Sequence, residues 1–125
     1  MNAHWLDASV ILRLLTGDPP TLARQAMEIF QRAASGELVL KLHPVTVGEV
    51  VYTLKSFYRS DPEVISNQLL ALMAQEGVEV HERRAVARAL STMVLHNVSY
   101  ADALLASLAG QDEGVATFDR GQLLP

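Results

Sequence analysis

The chain contains no cysteine, which excludes disulfide scaffolds, thiolate zinc sites and cysteine nucleophiles. Positive charge is scarce. Ten basic residues stand against 14 acids, for a net charge of −4, and only Lys41 and Lys55 are lysines. A protein that grips nucleic acid through its bulk field is usually basic. If this chain handles nucleic acid, something other than its surface must neutralise the phosphates. Long apolar runs are missing as well. The longest stretch free of charged residues, Ala89 to Ala101, has 13 residues, and a membrane span needs about 18 or more. The first residues lack a basic segment and reach Asp7 early, so no secretory leader is expected and the expected location is the cytoplasm. The four histidines, His4, His43, His81 and His96, show no metal-binding helical spacing. There is no glycine-rich phosphate loop and no G-x-S-x-G elbow.

What is present is a chain of 125 residues, half of them apolar. That length predicts a single domain over residues 1–125, and the composition excludes disorder. Ala3 to Asp7 reads as a short buried strand, followed by the apolar run Val10 to Leu15 and a stop at Gly17. Leu22, Ala26, Ile29, Phe30 and Ala33 recur at helical spacing. Leu38 to Leu42 reads as the second strand, with His43-Pro44-Val45 as a connection. Val47, Val50, Val51, Leu54 and Phe57 mark the next helix. Asp61-Pro62 starts another, with the acid as cap and proline at the first helical position. Val78 to Val80 reads as a strand, Arg84 to Leu95 and Ala103 to Ala109 as helices, and Val115 to Phe118 as a last strand. Short strands alternating with helices predict an α/β fold with a short, mostly parallel central sheet.

Four carboxylates stand out in that order. Asp7 ends the first strand and Asp119 follows the last, and a parallel sheet puts both at the edge that carries the ligand crevice. Thr117, two residues before Asp119, shares its face if the strand reaches that far. Thr46-Val47-Gly48-Glu49 fits a capping box, so Glu49 is expected at the start of a helix and at the same edge. Ser99-Tyr100-Ala101-Asp102 is a second such pattern, but it follows a helix, and topology alone does not bring Asp102 to the edge. Each acid also has a plain structural explanation: Glu49 and Asp102 as capping partners, Asp7 as an N-cap, Asp119 as a turn residue. Clustered carboxylates need a counter-charge, and all-oxygen ligands suit Mg²⁺ or Mn²⁺. Such metals, rather than a basic surface, would meet a phosphate backbone.

The residues also resemble a known family. Leu6-Asp7-Ala8-Ser9-Val10-Ile11-Leu12 resembles the opening of PIN domains. Thr46-Val47-Gly48-Glu49-Val50, Tyr100-Ala101-Asp102-Ala103-Leu104-Leu105-Ala106 and Thr117-Phe118-Asp119-Arg120 resemble their later acidic motifs, in order and across nearly the whole chain. Size and compactness look most like the VapC-type toxin ribonucleases of toxin–antitoxin pairs. The resemblance implies a three-layer α/β/α fold and cleavage of RNA phosphodiesters by an endoribonuclease. It implies that Asp7, Glu49, Asp102 and Asp119 form an acidic quartet binding Mg²⁺ or Mn²⁺, with Thr117 and Ser9 supporting them by hydrogen bonds. It further implies a small antitoxin laid across the helices that start near Thr46 and Pro62, and a homodimer. Two departures stand beside it: relatives often carry Asn or Thr near Ser9, and many continue into one more strand where this chain stops at Pro125. Two alternatives remain at this point. One is a non-catalytic binding module of PIN fold. The other is a receiver-like, Mg²⁺-dependent phosphoacceptor, which needs a lysine near its acid and finds only Lys41 within a strand and Lys55 on a helix.

Overall fold

A computed structural model describes residues 2–118. The chain divides into two compact units, the first ending at His81 and the second beginning at Glu82.

The first unit holds three strands, β1 (Ala3–Trp5), β2 (Val39–Leu42) and β3 (Val78–Val80). It also holds four helices, α1 (Ala8–Thr16), α2 (Pro20–Ala34), α3 (Pro44–Ser56) and α4 (Pro62–Met73). The strands form one parallel sheet in the order β1-β2-β3. Both crossovers therefore step in the same direction. Right-handed connections then place both helix pairs on one face of the sheet, and α2 indeed touches β2 while α4 touches β3. Alternation along the strands fits helices packed on that face. Leu6, Leu40, Leu42 and Val78, on the helix side, are buried. Trp5, Lys41 and Glu79 stand in register on the opposite face, where Trp5 is 53% exposed.

The helix boundaries follow local chemistry. Asp7 caps α1 through its side chain, and Gly17 ends it in the left-handed region with its N–H donating to the Arg13 carbonyl. In α2 the buried residues are Ala23, Ala26, Phe30 and Ala33, a single stripe at helical spacing. The connection expected at His43-Pro44-Val45 is instead the first turn of α3. His43 is its N-cap, its side chain accepting from the Val45 N–H, and Pro44 occupies the first helical position, where a fixed φ and a missing N–H are harmless. The Thr46–Glu49 capping box is accordingly not at the helix start. Thr46 lies three residues past the cap and Glu49 six. Asp61 and Pro62 begin α4 as expected, although no side-chain bond closes that cap.

The second unit contains α5 (Arg83–His96) and α6 (Tyr100–Leu108), packed against each other across a turn at Asn97 with φ 52°. Val86, Leu90, Met93, Tyr100 and Ala103 are buried. The strand expected over Val115 to Phe118 does not form. Only Val115 in that run is even partly buried. Ordering a residue costs about 1–2 kcal/mol of backbone entropy, and four residues without a buried face recover little of it.

Candidate active site

Asp7 sits two residues beyond the end of β1, at the C-terminal edge of the parallel sheet. That edge is where the fold class places ligands. Its Oδ2 accepts from the Ser9 hydroxyl at 2.5 Å and from the Ser9 N–H at 3.0 Å. These two bonds, the side-chain one first, with a weaker backbone contribution from Ala8, hold the carboxyl below its ordinary value of 3.8. Ser9 thereby fixes one oxygen of an exposed, ionised carboxylate and leaves Oδ1 clear of itself. The N-cap role and the ligand role are compatible, because each uses a different oxygen. An open groove of about 300 Å³ lies beside Asp7, with His4, Val10, Ile29, Arg32 and Leu40 among its walls.

Glu49 also belongs to the first unit. It is exposed on α3, on the stripe that carries Val45 and Tyr52 at helical spacing. Asp102 and Thr117 belong to the second unit. Asp102 is half-buried in the first turn of α6, and its N–H donates to the Ser99 hydroxyl at 3.1 Å, so half of the expected capping box is present. Thr117 is exposed, and the strand argument that put it on one face with Asp119 does not hold for the segment as folded. Asp119 lies outside the described residues. Among the described residues, no three His, Asp or Glu side chains form a group that could hold a metal ion. Asp7 is ionised and anchored, and the carboxylates of Asp7, Glu49 and Asp102 are each hard oxygen donors of the kind that Mg²⁺ or Mn²⁺ takes.

A ring cluster was missed at the sequence level. Trp5, His43 and His81 form a triangle with centroids 6.0, 5.6 and 5.9 Å apart, the two imidazoles within 15° of parallel. Lys41 Nζ lies 4.9 Å from the centre of the indole. The signal was available. His43 and His81 each directly follow a strand, and the edge argument applied to Asp7 applies equally to them.

No helix among the described residues is long and apolar enough to cross a membrane. No curated protein and no solved structure matches the chain. The family model of the PIN domain matches residues 5–123, a span that takes in both compact units and all four acids. PIN domains are generally nucleases and commonly use divalent metal ions. The three parallel strands and six helices of the described residues are consistent with a three-layer α/β/α fold, and the chain belongs to the PIN domain family.

Proposed function

We propose that the protein is a metal-dependent endoribonuclease and the toxin of a toxin–antitoxin pair. The observation that carries this is Asp7, an ionised carboxylate pinned through one oxygen by Ser9 at the ligand-binding edge of the sheet. In this proposal Asp7 and Asp102 are the principal ligands of Mg²⁺ or Mn²⁺. Glu49 and Asp119 complete the set directly or through water. Ser9 holds Asp7 in place, and Thr117 supports the set by a hydrogen bond. When bound, the ion supplies an acidified water and charge stabilisation at the phosphate. It also answers the charge deficit, since a chain of net charge −4 needs a cation to meet a phosphodiester.

An antitoxin fits the exposed apolar side chains of α3 and the turn after it. Val45, Tyr52 and Phe57 are 62%, 71% and 78% exposed, which is unusual for one neighbourhood of a monomer. A cytoplasmic homodimer completes the proposal.

The test is cleavage of a mixed pool of short RNAs with Mn²⁺, with EDTA, and with Asp7→Asn in Mn²⁺. Cleavage in the first arm alone supports the proposal. Equal cleavage by Asp7→Asn overturns it. Binding without cleavage under any metal favours the non-catalytic module.

A further inference from the structure

Among the described residues, α5 is the one helix that carries several cations and no acid. Arg83, Arg84 and Arg88, three of the chain's ten basic residues, fall within its first two turns. Local chemistry disfavours this arrangement. Cations in a first turn oppose the helix dipole, and like charges at i and i+4, here Arg84 and Arg88, repel each other. α2 shows the ordinary pattern, with Glu28 between Arg24 and Arg32 at the same spacing. In α5 nothing comparable offsets the charge. Glu82, its cap residue, makes no side-chain cap bond, and no ion pair joins Arg84 or Arg88 among the described residues. The placement is also regular. Arg84, Arg88 and Ser91 are exposed and fall within about 60° of one another around the helix. Ala85, Val86, Ala89, Leu90 and Met93, the buried residues of α5, take the opposite side. Whatever that apolar stripe packs against, an unpaired guanidinium is too costly to bury, so the arginine stripe stays in water. It lies wholly within the second unit.

We propose that this stripe is a phosphate-binding track for the backbone of RNA, with Arg84 and Arg88 each holding a phosphate and the Ser91 hydroxyl donating to the same strand. A guanidinium presents a planar fork of donors that matches a phosphate. About 6 Å separates the two arginines along the helix, so one strand can engage both. Such contacts position a strand without reading its sequence. A bound phosphate also supplies the counter-charge that α5 lacks. The choice of RNA over an acidic peptide rests on the ribonuclease proposal. The stripe concentrates positive charge on a chain whose net charge of −4 otherwise repels a polyanion.

The full chain is titrated in EDTA with a labelled eight-nucleotide single-stranded RNA, and anisotropy is read across a salt series. Arg84→Gln with Arg88→Gln should flatten the dependence of log Kd on log salt by about 1.4, two phosphates at about 0.7 each, and weaken binding about twentyfold near 0.1 M salt. Arg24→Gln with Lys55→Gln removes the same charge from α2 and α3 and should leave the slope unchanged. Circular dichroism should not change, and the melting temperature of the α5 variant should hold or rise, because the substitution relieves the Arg84–Arg88 repulsion. Equal losses in the two variants, or none in the α5 variant, overturn the track. So does an absence of binding by the wild type. Retained RNA affinity with lost binding of an oligoglutamate peptide overturns it in favour of an acidic protein partner. Cleavage is read separately in Mn²⁺. Cleavage by the wild type with an unmoved slope in the α5 variant removes the track and keeps the nuclease, whereas a moved slope without cleavage keeps the track and removes the nuclease.

Discussion

Ser9 donates both its hydroxyl and its backbone N–H to a single oxygen of Asp7, Oδ2. That pairing closes the first turn of α1 and at the same time orients an ionised carboxylate at the end of β1. One residue pair thus joins the stability of a helix to the chemistry proposed for the sheet edge, and substitutions can separate the two.

Asp7→Asn keeps a competent N-cap, since Asn and Asp cap about equally. It removes the charge. RNA cleavage should fall by about a hundredfold or more, as expected for loss of a metal ligand, with the melting temperature changed little. Asp7→Ala should lose cleavage and also about 1 kcal/mol of stability, roughly 3–5 °C in a domain of this size. Cleavage assays and thermal melts on the same preparations check both.

The lowered Asp7 pKa has a pH signature. A carboxyl favoured as the anion in the fold contributes stability that is present above its ordinary value of 3.8. That contribution is lost as pH falls through the lower folded value. The difference in melting temperature between wild type and Asp7→Ala should therefore be full at neutral pH and narrow in acid below 3.8. Ser9→Ala, which removes the hydroxyl bond, should move the Asp7 carboxyl titration upward toward 3.8 when followed by carbon NMR. An unmoved titration would mean that the Ser9 hydroxyl does not stabilise the anion.

Periodicity made most of this fold legible. The apolar repeats of α2, α4 and α5, the strand at Val78–Val80 and the Asp61-Pro62 start all lie where the spacing put them. The errors arose where a cap outweighed a pattern. Thr46-x-x-Glu49 has the letters of a capping box, but His43 with Pro44 starts α3 sooner, and an imidazole cap has no common sequence signature. Val115 to Phe118 has strand composition but no buried face, and burial is a tertiary property. Asp7 was legible as a strand-end acid. Its anchoring by Ser9 was expected only from the family resemblance. The ring triangle was not read from the sequence because Trp5, His43 and His81 are 38 or more residues apart in sequence and meet only through the strand register.

Tyr100, buried at the first turn of α6, has its phenol pushed up from 10.0 by desolvation. The fold favours the neutral form, so its contribution is complete below pH 10.0 and is lost as pH rises through the higher folded value. Tyr100→Phe, which cannot ionise, should lose stability less steeply than wild type between about pH 10 and 12, whatever its offset at neutral pH. Urea midpoints across that range give the two slopes. Parallel slopes would show that the phenol ionises freely in the folded chain.

Gly36 and Gly77 provide a matched pair of backbone tests. Both have positive φ, 85° and 83°, so alanine at either site incurs the left-handed penalty of about 1 kcal/mol. They differ in space. A Cβ at Gly36 meets nothing within 4 Å, whereas at Gly77 it would stand 2.4 Å from the Ala33 carbonyl oxygen and 2.6 Å from its carbon. Those are backbone atoms at the end of α2, and they cannot turn away as a side chain can. The last turn of α2 and the entry to β3 would have to separate, adding an overpacking cost of about 1–3 kcal/mol. Gly77→Ala should therefore lower the urea midpoint by two to four times as much as Gly36→Ala. The Gly77 N–Cα–C unit also precedes the strand, and its carbonyl accepts the Leu40 N–H at 2.8 Å. The same substitution should thus raise amide exchange at Leu40, while Gly36→Ala leaves Leu40 protected. Equal effects of the two variants would mean that the chain turns from α4 into β3 without the close approach to Ala33.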